Sequence, residues 1–88
     1  MKVGFTSQGW NDYQHLIAEE PKILLRLNTL LEECRRNPFT GTGKPEPLKG
    51  NLKGWWSRRI TQEDRLVYRV SGNGADQVLE ISQCRFHY

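Results

Sequence analysis

The hydrophobic pattern of the N-terminal part of the chain predicts one strand and two helices. Residues 2–6, KVGFT, predict a short strand. Ser7 can cap a helix that runs to about Glu19. Pro21 suits the first turn of a second helix, which ends at Arg36. Apolar residues form one stripe on each helix: Trp10, Tyr13, Leu16 and Ile17 on the first, and Ile23, Leu24, Leu27, Leu30, Leu31 and Cys34 on the second. This spacing is typical of core packing, so both helices are predicted to be structural.

A long loop and three strands are predicted to follow. The segment NPFTGTGKPEP contains three prolines and two glycines, which end the helical pattern, and we expect an ordered loop from there to about Lys53. Three segments rich in β-branched and aromatic residues then predict strands: GWWSRRIT, RLVYRVS and QVLEISQCRF. The predicted fold class is α+β, a twisted antiparallel sheet with two N-terminal helices packed on one face. Residues 1–88 are expected to form a single domain.

Composition removes several classes of protein from consideration. The chain has 88 residues, of which 36% are hydrophobic, as expected of a small globular domain. Cys34 and Cys84 lie far apart in the sequence, in a spacing typical of neither a zinc site nor a disulfide framework. The first 20 residues contain no apolar run, so no signal peptide is predicted, and no apolar stretch approaches membrane-spanning length. We therefore expect a cytoplasmic protein with reduced thiols, no membrane partner, no metal and no cofactor.

The positive charge is concentrated in one part of the chain. The net charge is only +3, but residues 36–69 contain eight Lys or Arg against three Asp or Glu, a balance of +5. The segments before and after this stretch each balance to −1. A local excess of this kind suits a phosphate-rich partner, although charge alone is also typical of a solvated basic surface.

Within the basic stretch, one carboxylate stands in a stiff backbone. Glu46 lies between Pro45 and Pro47, and the flanking Lys44 and Lys49 should keep it ionised at neutral pH. A single loop glutamate is more often structural than catalytic. Its neighbours in sequence make it a candidate for a proton acceptor.

Adjacent residues of the first meander strand must point to opposite faces. Arg58 and Arg59 therefore separate, and Trp55 and Trp56 alternate in the same way. Two interpretations of the tryptophans stay open: one faces the core and the other faces RNA, or both lie in the core or against a partner. Arg65 opens the next strand. Arg59 and Arg65 share a face if the turn has a suitable length, but the sequence leaves that register open.

Together these residues fit cleavage of RNA by its own 2′-hydroxyl. A base removes the hydroxyl proton, the oxygen attacks the adjacent phosphorus, cations stabilise the added charge, and an acid protonates the departing 5′-oxygen. Histidine suits the acid role because its ordinary pKa is ~6.5. The final strand is predicted to bring His87 and Tyr88 to the rim of the basic face.

The chain resembles the YoeB (Txe) branch of the RelE/ParE toxin superfamily over its whole length. The resemblance is strongest in RRNPFTGTGKPEPLKGNLKGWWSRRITQEDRLVYRV and in the ending CRFHY. Phe86 stands where the family commonly has tyrosine, Gly50 stands where a bulkier residue is usual, and the loop SGNGADQ is longer than in the best-known member. None of these departures affects the residues proposed for the chemistry.

The resemblance implies a ribosome-dependent endoribonuclease that cleaves mRNA in the A site. It assigns the general base to Glu46, phosphate binding to Arg65, the general acid to His87 and the terminal tyrosine to Tyr88. The residues predicted to bind RNA are Lys44, Lys49, Lys53, Arg58 and Arg59; the family match covers Lys49 and Arg59.

The implied partners are an acidic, partly disordered antitoxin of the YefM/Axe type and the 70S ribosome with its mRNA and ribosomal RNA. Homodimer formation is left open. Two other functions also remain open: a non-catalytic toxin of the same superfamily that poisons gyrase, and a plain RNA-binding module. The combination of Glu46, Arg65 and His87 argues against the first of these.

Overall fold

The computed structural model of the protein describes residues 1–86. In chain order the elements are β1 (Lys2–Phe5), α1 (Ser7–Glu19), α2 (Pro21–Arg36), β2 (Glu46–Pro47), β3 (Trp56–Arg59), β4 (Arg65–Ser71) and β5 (Val78–Gln83). Single 3-10 turns at Gly50–Leu52 and Gly74–Asp76 lie in the connections before β3 and β5.

The strands form one sheet in the order β1-β5-β4-β3-β2. Three of its pairings are antiparallel, whereas β1 runs parallel to β5. The predicted α+β class is confirmed, but the sheet is mixed rather than wholly antiparallel. Both helices and three strands lie between β1 and β5 in the chain, so no hairpin turn sets the relative direction of these two neighbours.

The strand boundaries differ from the prediction mainly in the middle of the chain. The segment expected to be a loop contains β2, which pairs with β3 at the edge of the sheet. β3 is shorter than the predicted 54–61, whereas β4 covers the predicted 65–71 in full. Prolines make β2 a short edge strand because they cannot donate to a further neighbour.

Both helices begin and end close to the predicted residues. The cap of α1 is Thr6 rather than Ser7, and its hydroxyl accepts from the Gly9 amide at 3.1 Å. The apolar stripe of α1 is narrower than predicted, because Trp10 and Ile17 are about half exposed, at 52% and 48%. No helix within residues 1–86 is long and apolar enough to cross a membrane.

The core lies between the two helices and one face of the sheet. Its buried side chains from the helices are Leu16, Leu27, Leu30, Leu31 and Cys34. Those from the sheet and its connections are Ile60, Leu66, Tyr68, Leu79, Ile81 and Cys84. Burial of Leu79, Ile81 and Cys84 shows that the final strand is anchored in the core as far as the last cysteine.

Candidate functional site

The sheet has a second face, which points away from the helices. Because the core residues alternate with others along β3, β4 and β5, the intervening side chains must project to the opposite side. The residues of this second face are Glu46, Trp55, Ser57, Arg59, Arg65, Val67, Arg69 and Glu80. They form three rows that run across the strands.

The first row pairs two arginines. Arg59 lies directly opposite Arg65 in the β3–β4 pair, which answers the question of register. Opposite residues of an antiparallel pair have Cβ atoms ~4.5–5.5 Å apart. Arg59 is exposed and Arg65 is half-buried. Like charges at this spacing repel one another, so the pair favours an anion such as phosphate between or above them.

Glu46 lies in the second row. It is opposite Ser57, and Ser57 is in turn opposite Val67. Two residues along a strand span about 6.5 Å, so this row is one such step from the arginine row. Glu46 is exposed, which leaves its carboxylate accessible to a ligand on the second face. The structure thus brings together three of the predicted site residues, Glu46, Arg59 and Arg65.

Arg58 has a different location from the one predicted. Its side chain is on the core side of β3 and is 0% exposed. It donates to the Tyr68 hydroxyl and to the backbone carbonyls of Asn37, Thr40 and Thr42. The prediction that Arg58 binds RNA is wrong, because every nitrogen of its guanidinium is used inside the protein.

These hydrogen bonds fix the loop that leads into β2. Glu33 on α2 accepts from the Thr42 amide at 2.7 Å and lies 3.6 Å from the Arg58 guanidinium. The Thr42 hydrogen bonds and the nearby guanidinium lower the pKa of Glu33 below its ordinary value. Tyr68 donates to the Pro38 carbonyl, and burial raises the pKa of its hydroxyl to about 12. The loop is therefore held from both α2 and the sheet before it reaches Glu46.

A glycine allows this loop to lie directly against β3. Gly43 has φ +87°, and its carbonyl accepts from the Arg59 amide at 2.7 Å. A Cβ at this position would lie 2.9 Å from the Arg59 carbonyl oxygen and 3.2 Å from the Arg58 Cβ. Only glycine accommodates both the positive φ and this close approach. Lys44 follows with φ +53° and is exposed.

One side of the Arg65 guanidinium is hydrogen-bonded within the protein, and the other side can bind a ligand. Its Nη1 donates to the carbonyls of Thr61 and Gln62 at 2.9 and 3.0 Å, which ties it to the turn between β3 and β4. Its backbone amide donates to the Phe86 carbonyl at 3.0 Å. The end of the described chain therefore lies next to Arg65. The guanidinium edge away from Nη1 is the part that is suited to a phosphate.

Two carboxylates hold the segment after β5. Asp12 of α1 accepts from the Cys84 amide at 3.1 Å, and Asp64 accepts from the Phe86 amide at 2.8 Å. Asp64 also accepts from the Thr61 hydroxyl. Nothing in the sequence pattern singled out Asp12 or Asp64, since each bonds to a residue more than twenty positions away. The predicted catalytic residues His87 and Tyr88 lie outside the described residues.

The three remaining predicted cations lie along the β2 edge. Lys49 and Lys53 flank the 3-10 turn Gly50–Leu52, and both are exposed, as is Lys44. Their exposure leaves them available to a polyanion, and binding of RNA by these lysines stays a prediction.

Arg69 is a second-face residue that the sequence interpretation did not assign, and the choice between Trp55 and Trp56 was left open there. Trp56 packs against the core and against Phe39, with ring centroids 4.7 Å apart, so Trp55 is the indole on the second face. The Arg69 guanidinium lies 4.4 Å from the Trp55 ring centroid. The period-two alternation of RLVYRVS was the available signal, because it places Arg69 on the face of Arg65.

The second face offers a carboxylate, two paired arginines and an aromatic ring to a single ligand. Within residues 1–86 no group of three or more His, Cys, Asp or Glu side chains is arranged to hold a metal ion. What the described face can supply is a proton acceptor, binding of negative charge and stacking.

Comparison with known proteins identifies the class and then the family. A solved YoeB/ParE toxin from Agrobacterium tumefaciens is 51% identical, with a TM-score of 0.95 over 100% of both chains. The fold is therefore that of the YoeB/ParE class of toxins. Residues 5–88 match the family of YoeB-like toxins of bacterial type II toxin–antitoxin systems, and the chain belongs to that family.

Two further relatives show the same similarity over the full chain. Toxin YoeB of Synechocystis sp. is 51% identical over 100% of this chain and 98% of the relative. YoeB of Staphylococcus aureus is 39% identical, with a TM-score of 0.87 over 100% of this chain and 98% of the other. That protein has been solved as a dimer and in a heterotetrameric complex with YefM.

Proposed function

We propose that this toxin is a ribosome-dependent endoribonuclease that cleaves mRNA in the A site and so inhibits translation. The observation that supports the proposal most directly is the shared face of Glu46, Arg59 and Arg65, in adjacent rows of one sheet. A proton acceptor one row away from a pair of fixed cations suits attack of a 2′-hydroxyl on the neighbouring phosphate.

In the proposed mechanism Glu46 removes the proton of the 2′-hydroxyl. The oxygen forms a bond to phosphorus, and the bond from phosphorus to the 5′-oxygen of the next nucleotide breaks. Arg65 and Arg59 stabilise the negative charge on the phosphate oxygens during this exchange. The products are a 2′,3′-cyclic phosphate and a free 5′-hydroxyl.

We assign the general acid to His87, with Tyr88 supporting it. This assignment comes from the family resemblance of the CRFHY ending. The position of Phe86 is consistent with it, because the Phe86 carbonyl accepts from the Arg65 amide at 3.0 Å. The residue before His87 therefore lies beside Arg65, the proposed phosphate-binding residue.

The proposed partners follow from the chemistry and from the S. aureus relative. We propose that an acidic antitoxin of the YefM type binds this toxin and that exposed Lys44, Lys49 and Lys53 contact mRNA or ribosomal RNA. We also propose that the toxin acts in the cytoplasm, where its ribosomal target is. A homodimer of the kind solved for the S. aureus protein is a further proposed state.

The first prediction concerns Glu46. Glu46→Gln removes the proton acceptor with little change in shape, so cleavage on programmed ribosomes should fall ~10²–10⁴-fold while the thermal midpoint stays unchanged. Glu19→Gln, a change of another exposed glutamate, is the matched control and should cleave normally. Near-normal cleavage by Glu46→Gln would remove Glu46 as the base. A wild-type protein that cuts no mRNA on ribosomes would refute the proposed function itself.

The second prediction concerns the chain end. Deletion of His87 and Tyr88 should leave a protein that melts cooperatively and binds antitoxin but does not cut mRNA. The last buried core residue of the described chain is Cys84, so the deletion removes no side chain of that core. Cleavage at the normal rate would show that the last two residues are dispensable. Loss of cooperative melting would instead assign them a structural role.

A further inference from the structure

In the third row of the second face, the Arg69 guanidinium lies over the indole of Trp55. The Cζ of Arg69 lies 4.4 Å from the centroid of the Trp55 indole. Its Nε donates to the Glu80 carboxylate at 2.6 Å, and Arg69 and Glu80 are opposite each other in the β4–β5 pair. We call this arrangement the Trp55–Arg69 stack. The indole and the carboxylate together restrict the orientation of the guanidinium plane.

The Trp55–Arg69 stack lies on the other side of Glu46 from the arginine pair. Trp55 precedes Ser57 by two residues and Arg69 follows Val67 by two, so the stack is about 6.5 Å along the strands from the Glu46 row. The three rows therefore run in the order of cations, carboxylate and stack.

The charge of Arg69 is offset by its ion pair with Glu80, in contrast to that of Arg59, for which no acidic partner exists within residues 1–86. The electrostatic attraction of a phosphate to this paired guanidinium is therefore weaker than its attraction to Arg59. The exposed part of the group, with 46% of its side chain accessible, offers a flat surface to a flat, uncharged ligand. Bases of single-stranded RNA stack on aromatic rings and on arginine planes in this way.

We propose that the Trp55–Arg69 stack binds one nucleobase of single-stranded RNA, adjacent to the phosphate that is cleaved. This inference rests on the proposed function, since it assumes that RNA lies along the second face. With the phosphate at the Arg59–Arg65 pair and the base on the stack, the sugar between them lies at the row that contains Glu46. The stack then sets the register of the RNA relative to the carboxylate.

The experiment measures binding of short 2′-O-methyl RNA, which cannot be cleaved by its own 2′-hydroxyl, to the free full-length protein. A single abasic position is moved along the oligonucleotide. In the wild type, one position should cost on the order of 10- to 100-fold in affinity. In Arg69→Ala the same abasic change should not lower the affinity any further, because this variant lacks the guanidinium on which the base stacks.

Two variants separate stacking from charge. Arg69→Lys keeps the positive charge but lacks the planar guanidinium. The loss of affinity caused by the abasic position should therefore disappear in this variant too. Arg35→Ala is the matched control, because Arg35 is an exposed arginine paired with a glutamate, Glu32, away from the second face. It should retain the full abasic penalty. Trp55→Phe should retain most of the penalty and Trp55→Ala should not, with a melting curve to confirm that both fold.

Several outcomes would overturn the proposal. One is an abasic profile that is the same in the wild type and in Arg69→Ala. Another is the absence of any RNA binding by the wild type at low salt, because the stack is already formed in the free chain. A third is loss of antitoxin binding with RNA binding unchanged, which would assign the stack to the protein partner.

The result is separable from that for cleavage. If the abasic position lowers affinity in the wild type but not in Arg69→Ala, and programmed ribosomes are not cut, the stack is an RNA-binding site and the proposed catalysis fails. If ribosomes are cut but no position depends on Arg69, the inference about the stack fails alone.

Discussion

Arg58 is the residue on which the shape of the site most depends. A fully buried guanidinium is costly to desolvate unless its donors are satisfied and its charge is balanced. Here three backbone carbonyls and the Tyr68 hydroxyl accept from it, and Glu33 lies 3.6 Å away. A lysine could not make these bonds at once, because only arginine has a planar fork of donors.

The third prediction concerns two neighbouring arginines. Arg58→Met leaves the loop carbonyls and Glu33 without their partner and should lower the free energy of unfolding by about 3 kcal/mol or more. Arg59→Met, on the exposed side of the same strand, should change it by less than about 0.5 kcal/mol. Denaturant unfolding of the two variants measures the difference. RNA binding should show the reverse order once the fraction of folded protein is taken into account.

An Arg58→Met variant as stable as Arg59→Met would show that the guanidinium contributes little to the fold. Such a result would also mean that contacts other than those of Arg58 hold the loop in position. Arg58→Lys serves as an intermediate, because it retains the charge near Glu33 but not the three carbonyl contacts.

At the scale of elements, the segment 84–86 is held from two independent sides. Asp12 on α1 accepts from the Cys84 amide, and Asp64 in the β3–β4 turn accepts from the Phe86 amide. The turn, β4 and the segment 84–86 thus form one hydrogen-bonded unit, in which Phe86 has φ +62°. A non-glycine residue in this region is uncommon and persists only where surrounding contacts impose it.

The fourth prediction tests this unit. Asp64→Ala should cost about 1–2 kcal/mol in the free energy of unfolding and should speed hydrogen exchange at the Phe86 amide. The Cys84 amide should stay protected, because its acceptor is Asp12. Glu63→Ala, a change in the same turn at an exposed residue, is the control. Exchange measured by NMR on each variant separates the two amides.

Unchanged exchange at Phe86 in Asp64→Ala would mean that the bond from the Arg65 amide to the Phe86 carbonyl holds the segment without the carboxylate. Equal loss of protection at Cys84 and Phe86 would mean that the segment opens as a whole. Only selective exposure of Phe86 supports two separate anchors.

At the scale of the whole molecule, a buried tyrosine and a buried cysteine make the free energy of unfolding depend on pH in the alkaline range. Burial raises the pKa of Tyr68 from 10.0 to about 12, and burial followed by the nearby Asp12 and Asp64 raises that of Cys84 from 9.0 to about 12. Both groups are more easily ionised in the unfolded chain than in the folded one. The two groups therefore stabilise the folded state fully below their ordinary pKa values of 9.0 and 10.0. This stabilisation is lost as the pH rises from those values to about 12.

The fifth prediction is that the free energy of unfolding falls between pH 9 and about pH 12. Tyr68→Phe should be less stable near neutrality by about 1 kcal/mol, since it loses hydrogen bonds to Pro38 and Arg58. It should also show a shallower fall above pH 10, because the tyrosine no longer titrates. Denaturant unfolding at a series of pH values measures both effects. A wild-type curve that is flat in this range would contradict the prediction.

Much of the architecture follows from local patterns in the sequence. The leucine spacing of α2 and Pro21 at its start determine where that helix lies and which side it buries, because helix period and proline geometry are local properties. RLVYRVS determines β4 in full for the same reason, since alternation of apolar β-branched residues has meaning within one strand. The concentration of charge between residues 36 and 69 likewise indicates a basic surface, because charged side chains remain in contact with water unless they are paired.

Other features depend on contacts between distant residues, and only the tertiary structure decides them. Arg58 and Arg59 are identical in type and adjacent in sequence, and only the position of the core determines that one is buried and the other exposed. The parallel pairing of β1, the opposition of Arg59 and Arg65, and the anchoring of Phe86 by Asp64 each join segments through register or long-range hydrogen bonds. Local propensity contains no information about such pairings, because their energy exists only once the chain has folded.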